Sequence, residues 1–148
     1  MLKLSTKARY GLRAMVELAC REGEGPIQLR EIARAQAVSP KYLEQLTIPL
    51  RNAGLVHSER GPNGGYWLAK PARQITALDV VSAAEGPVAL LDCIGQAAAC
   101  KRSPGCAARR LWTKVSAAIS DTLAEVTLAD LREDQMAAHS AAAFCYQI

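Results

Sequence analysis

Cys93, Cys100 and Cys106 follow one another in the spacing Cys-x6-Cys-x5-Cys. Three thiolates within reach of one another are what an iron-sulfur cluster or a zinc ion requires, because both take soft sulfur donors. Zinc wants four ligands and usually closer pairs, so the spacing favours the cluster and leaves zinc as the second choice, with inert cysteines as the plain alternative. Lys101 and Arg102 add positive charge beside the thiols. Of the other two cysteines, Cys20 falls on the apolar face of a helical pattern and is expected in the core. Cys145, near the end of the chain, stays open as a stray thiol, a resolving thiol or a fourth ligand. His57 and His139 have no Ser or Asp arranged with them and no phosphate loop is present, so the sequence offers no catalytic set and an enzyme is not expected.

A second chemistry is written in polar side chains. Lys41, Glu44 and Gln45 face outward from a short helical segment whose Tyr42, Leu43 and Leu46 face inward. A carboxylate on a surface meant for DNA is repelled by phosphate, yet Glu44 can accept from the amino group of cytosine; the alternative is an ion pair with Lys41 on a solvated face. Arg60 stands at the base of a turn, where it can enter a minor groove or grip phosphate.

These groups need elements to hold them. Ser5 or Thr6 caps a first helix with apolar Ala8, Leu12, Met15, Val16, Leu18 and Ala19, closed by Gly23 and Gly25. Leu29, Ile32 and Ala33 give a second helix ending near Ala37, and Ser39-Pro40 opens a third with a cap and a proline at the first helical position. Two short helices joined so tightly form a helix-turn-helix, whose second helix offers its N-terminal side chains to the major groove. Pro49 predicts a kink or break. Leu55 to Leu68 then holds two apolar runs around Gly61-Pro-Asn-Gly-Gly65, and Asn-Gly between such runs is a hairpin signal, read here as a wing. Thr76 to Ala84 is a short helix, and residues 86–105 have no steady period and read as a loop. From Cys106 a helical stripe of Ala108, Leu111, Val115, Ile119, Leu123 and Val126 returns, long enough to need a second subunit to cover it.

The fold class expected is therefore mainly α with a small β-hairpin. It divides into a winged helix-turn-helix domain over residues 1–84, a cysteine-bearing sensor loop over 85–105, and a dimerisation helix with a C-terminal tail over 106–148. The 148 residues leave no room for two catalytic domains, and no apolar run approaches the roughly 18 residues of a membrane span. The N-terminus shows no signal segment, so a cytoplasmic protein with reduced thiols and no membrane partner is expected. Charge is uneven: residues 1–73 hold 12 Lys and Arg against 6 Asp and Glu, and residues 74–148 hold 6 against 8. A basic module joined to an acidic one is the footprint of phosphate binding beside a sensing or dimerising part.

Four segments together resemble one family. Leu4-Ser-Thr-Lys-Ala-Arg-Tyr-Gly-Leu-Arg-Ala-Met15, Tyr42-Leu-Glu-Gln-Leu46, Leu50-Arg-Asn-Ala-Gly-Leu-Val56 and Arg60-Gly-Pro-Asn-Gly-Gly-Tyr66 are similar to the Rrf2 family of bacterial transcription regulators, over nearly the whole chain. The resemblance implies a homodimer on double-stranded DNA, acting as a repressor, with recognition helices in successive major grooves and wings in minor grooves. Tyr42, Glu44 and Gln45 would face bases; Arg60, Gly61 and Pro62 would follow the minor groove. Lys7, Ser39, Lys41, Arg51 and Asn63 complete the expected DNA-facing set, and Ala108, Leu111, Val115, Ile119 and Leu123 the expected dimer stripe. Cluster-binding members carry three cysteines at this place, which implies Cys93, Cys100 and Cys106 as ligands of a 2Fe-2S or 4Fe-4S cluster and as redox sensors.

Two departures leave the fourth ligand unassigned. Arg109 stands where the iron-sulfur branch has a histidine, and Ala8 and Arg9 stand where the nitric-oxide-sensing branch has an acidic ligand. The DNA-binding half and the ending Phe144-Cys-Tyr-Gln-Ile148 are more similar to a branch that governs cysteine metabolism. That branch lacks the trio, and the resemblance implies control by a protein partner, cysteine synthase, or by thiol oxidation.

Overall fold

The computed structural model describes residues 5–145, with side chains through Ser140. Leu4 and the roles considered for Cys145 and the Phe144-to-Ile148 ending lie outside the described side chains. The chain is mainly helical with one antiparallel hairpin.

Helix α1 (Thr6–Cys20) is the axis of the core. Ser5 caps it, its hydroxyl accepting from the amides of Lys7 at 3.1 Å and Ala8 at 3.4 Å. Its inner face buries Ala14, Met15, Val16, Leu18 and Ala19. Helices α2 (Leu29–Ala35) and α3 (Pro40–Asn52) follow, joined by a turn in which Ala37 takes the left-handed conformation. The Ser39 hydroxyl accepts from the Tyr42 amide at 3.2 Å, and Pro40, with no amide hydrogen to satisfy, fills the first turn.

Of the kink or break expected at Pro49, the break does not occur: α3 runs through it to Asn52. The missing amide removes one bond to the Gln45 carbonyl. Leu46 and Leu50 on either side are buried against the body, and that packing holds the segment helical.

Strands β1 (Val56–Glu59) and β2 (Gly65–Leu68) pair in antiparallel register, Val56 opposite Leu68 and Glu59 opposite Gly65. The connection is thus the five residues 60–64, not a two-residue Asn-Gly turn. Its β-turn runs from Gly61 to Gly64, closed by a 3.1 Å bond from the Gly64 amide to the Gly61 carbonyl, with Gly61 at φ 117°. Pro62 and Asn63 occupy the centre, where proline's fixed φ suits the first position. Gly65 is needed for a different reason. Ile27 pairs with Tyr66 through bonds of 3.0 and 2.8 Å, and a Cβ on Gly65 would meet the Ile27 backbone at 2.5 Å.

Helix α4 (Ala77–Glu85) starts in a capping box of Thr76 and Asp79. The following stretch is a chain of short turns: helix α5 (Asp92–Gly95) and 3₁₀ turns at Ala97–Ala99 and Ser103–Gly105. Helix α6 (Ala107–Glu125) carries the expected stripe but ends one residue short of Val126, which is extended.

The C-terminal segment, expected as a tail, forms helix α7 (Leu128–Cys145) and packs back on α1. Its fully buried Leu128 belongs to the main core. The Ala77 amide donates to the Val126 carbonyl at 2.8 Å and the Leu128 amide to the Ile75 carbonyl at 2.9 Å, fixing the turn between α6 and α7 to the body. Arg132 pairs with Glu22 at 3.0 Å.

Candidate nucleic-acid interface and cysteine segment

Helix α3 separates its faces, with Ile48 as the exposed apolar exception. Leu43, Leu46, Thr47 and Leu50 are buried while Lys41, Glu44 and Gln45 are exposed. Tyr42 is half-buried, edge-on to Tyr10 at 6.1 Å, and the Arg9 and Arg13 guanidinium groups lie over the Tyr10 ring at 4.9 and 5.4 Å. Arg13 also donates to the Gln36 side chain at 2.8 Å, tying α1 to the helix-turn-helix. Helix α3 therefore sits on a packed base, and its exposed side chains start from fixed positions.

The wing is braced in the same way. Arg51 donates to the Ser58 hydroxyl at 3.1 Å, and the Gln28 side chain donates to the Pro62 carbonyl at 3.4 Å. Arg60, Gly61, Pro62 and Asn63 are exposed at the tip, as are Lys7 at the start of α1 and Ser39 at the start of α3. A cleft of about 550 Å³ opens between Gln28, Arg30, Pro40 and the tip. Among the described residues the ion pairs are Arg21–Glu24, Arg21–Glu31 and Arg132–Glu22, and none engages Lys7, Lys41, Arg51 or Arg60. Glu44 is likewise without the Lys41 partner that its plainer reading requires. Arg30 and Gln28 were not singled out from the sequence. Their signal is weak there, because only the fold brings the start of α2 beside the wing.

The three cysteines sit on successive turns: Cys93 in α5, Cys100 between the two 3₁₀ turns, Cys106 as the cap of α6. All three are free and half-buried. The Cys106 sulfur accepts from the Arg109 amide at 3.4 Å, and Arg109 donates through Nε to the Cys93 carbonyl at 2.8 Å. The residue that replaces a histidine ligand in the resemblance is thus a strap across the segment.

Among the described residues no three ligating side chains converge on a common point. The segment holds three free thiols, soft donors of the type a metal takes, together with Ser103, which is buried and whose hydroxyl has no hydrogen-bond partner among the described residues. Cys20 is partly buried away from this set. Burial, reinforced by Glu17 and opposed by Arg132, pushes its thiol above the usual range.

Helix α6 leaves its stripe largely uncovered. Ala108 and Leu111 are exposed, Val115, Ile119 and Leu123 half-exposed, and Ser116 is its one buried residue. Trp112, not singled out from the sequence, is exposed beside Leu111. Val115, Ala118, Ile119, Thr122 and Leu123 line a shallow apolar groove of about 330 Å³.

A helix-turn-helix beside a wing whose Arg60 makes no ion pair among the described residues defines a DNA-binding regulator, and the likeness to known proteins narrows it. Residues 4–134 match the Rrf2 family, described as "Iron-dependent Transcriptional regulator". The chain is 44% identical over 130 residues to the HTH-type transcriptional regulator CymR of Bacillus subtilis, spanning 88% of this chain and 89% of that one. The solved structure of CymR, described as the global cysteine regulator of B. subtilis, superposes with a TM-score of 0.74 at 44% identity, covering 90% and 98% of the two chains. IscR of Erwinia tasmaniensis is 40% identical over 134 residues, 90% of this chain and 81% of its own. The structure of T. potens IscR superposes with a TM-score of 0.74 at 40% identity, covering 90% and 88%. The chain belongs to the Rrf2 family of transcription regulators, with the winged helix-turn-helix fold of that family, and is not an enzyme. No described helix is long and apolar enough to cross a membrane.

Proposed function

We propose that the protein is a cytoplasmic repressor that binds double-stranded DNA as a homodimer. Residues 1–84 read DNA, 85–105 sense, and α6 dimerises. The observation that carries this reading is the exposed Lys41-Glu44-Gln45 face of α3 beside a wing whose Arg60 makes no ion pair among the described residues. Glu44 and Gln45, with the exposed edge of Tyr42, would contact bases. Lys7, Ser39, Lys41 and Arg51 would contact phosphate, and Arg60 to Asn63 would follow the minor groove. The apolar stripe of α6, uncovered in one chain, supports a second copy as its cover. Selection from random duplexes tests this directly. It should return an inverted repeat with half-sites about 34 Å apart or a multiple of that. Failure to enrich any sequence would overturn the reading.

Control of that binding is assigned to residues 85–105, in the manner of a cysteine-metabolism repressor that works without a cluster. The likeness to CymR along the whole DNA-binding half supports this, as does the separation of the three thiols. The input would be a protein partner, cysteine synthase, or oxidation of the thiols. A second reading is favoured by a specific observation: Cys93, Cys100 and Cys106 are all present, free and on successive turns. In it they hold a 2Fe-2S or 4Fe-4S cluster, whose gain or loss supplies the redox signal. Absorbance, iron and sulfide analysis of anaerobically purified protein separates the two. Coloured, iron-bearing protein that loses its colour on Cys93→Ser, Cys100→Ser or Cys106→Ser supports the cluster. Colourless protein after reconstitution, with DNA binding altered by added cysteine synthase or peroxide, supports the first.

A further inference from the structure

Gln28 holds the cap position of α2 without capping it. Its backbone carbonyl accepts from the Glu31 and Ile32 amides at 2.9 and 3.3 Å, but its side chain makes no bond to the helix it precedes. The residues favoured at such a position, Ser, Thr, Asp and Asn, have short side chains that turn back onto the first amides. Gln28 is longer and half-buried, and its Nε2 reaches across to the wing, donating to the Pro62 carbonyl at 3.4 Å.

That carbonyl is free to accept because the turn from Gly61 to Gly64 is closed by the Gly64 amide on the Gly61 carbonyl instead. The wing's other anchors, Ile27 on Tyr66 and Arg51 on Ser58, lie within the strands, whose last pair before the tip is Glu59 with Gly65. Among the described residues, the Gln28 bond is the one hydrogen bond that reaches residues 60–64 from outside the hairpin. A two-stranded hairpin is marginal by itself, so the place of its tip is set by what holds it. Donor and acceptor both line the cleft of about 550 Å³ that opens between the tip and Pro40, the first residue of α3.

We propose that Gln28 is a positioning residue for DNA binding, an inference that rests on the reading of α3 and the wing given above. It clasps the wing tip and sets the distance between Arg60 to Asn63 and the outward face of α3. A sugar–phosphate strand passing from the groove read by α3 to the groove followed by the wing must fit that distance. A bond this long and partly exposed adds little to stability. Its effect is on where the tip stands, not on whether the protein folds.

The test compares the full chain with Gln28→Met, Arg60→Ala and the double variant. Methionine keeps the length of the side chain and removes the donor without adding charge. Affinity for a mixed-sequence duplex pool is measured across a salt series, with thermal melting as the control for folding. Gln28→Met should bind about three- to tenfold more weakly, with a shallower salt slope and an unmoved melting temperature. In the Arg60→Ala background the same change should cost less than about twofold, because the contact it positions is already gone. Equal losses in both backgrounds, or no loss in either, would overturn the clasp alone. An Arg60→Ala variant that binds as the parent does, with the same slope, would overturn the wing reading and this inference with it.

Discussion

The body around α1 and the stretch from Gly86 to Glu125 are built on opposite terms. In the body, Met15, Ile32, Leu43, Leu50, Val56, Ile75, Val80 and Leu128 are all fully buried in one cluster drawn from α1, α2, α3, the hairpin, α4 and α7. In the second stretch the buried residues are two serines, Ser103 and Ser116, while Leu91, Leu111 and Trp112 are exposed. The short turns from Gly86 to Gly105, with no apolar core of their own, have a low cost of local rearrangement, whereas α6 is a regular helix resting on α4 and α5. The surface that would read DNA is thus packed before DNA arrives, whereas the surface proposed to sense and dimerise is left uncovered in one chain.

The sharpest way to break that contrast is through α7, whose Leu128 places it in the body although it follows α6 in sequence. Leu128→Ala removes a fully buried side chain and should lower the unfolding free energy by about 2–5 kcal/mol in urea titration. Leu91→Ala, on the exposed stretch, should change it by less than about 0.5 kcal/mol. Equal effects would erase the distinction between the regions.

The next effect concerns the outer region. Leu111→Asp with Val115→Asp puts charge into a stripe that a second copy would desolvate. The dimer should dissociate in sedimentation experiments while the circular dichroism of the body persists. DNA affinity should fall by about 100-fold or more, because two linked reading helices act at high effective concentration. A dimer that survives the double substitution puts its interface elsewhere.

The sequence carried the body well because its signals are local. Ser5 and Ser39-Pro40 cap where expected, the period of 3.6 marks α1 and α3, and Gly61 to Gly65 marks the hairpin. What escaped is non-local. Helix α7 is rich in alanine and polar residues around its whole circumference, so its inner face, Leu128, Ala129 and Leu131, appears only when α1 is beside it. Glu85 accepts from the Ala8 amide at 3.2 Å and from the Ser5 hydroxyl. This second cap on α1 comes from far along the chain, just before the cysteine segment, and no sequence window spans both. In the site, the thiols and the outward face of α3 were visible as residue types. Ser103 was not, because an orphaned hydroxyl is a property of packing.

A smaller change is expected at the wing. Arg60→Ala should weaken binding across many duplex sequences and lower the slope of log affinity against log salt by about one phosphate contact. Body and outer stretch keep their stabilities in this variant, so thermal melting should not move. An unchanged slope would mean that the hairpin tip does not touch the DNA backbone.

The smallest effect lies at the joint between the two regions. Thr127 and Asp130 form a cap at the start of α7, and Thr76, itself capping α4 with Asp79, bridges to Thr127. The Asp130 carboxylate accepts from the Thr127 hydroxyl at 2.6 Å and from its amide at 2.8 Å, and these two bonds hold its pKa below the ordinary 3.8. Because the folded value is depressed, the carboxylate contributes stability above the unfolded value and loses it as pH falls through the folded one. Both donors prefer the ionised acceptor, and the negative charge also suits a helix N-terminus. Asp130→Asn removes the charge and keeps an acceptor, so its melting temperature should lie slightly below the parent's near neutrality and approach it as the acid limb is entered, below about pH 4. The group is fully exposed, so salt should shrink the difference. Two melting curves that stay parallel from neutral to acid pH would show that the cap at this joint does not depend on its charge.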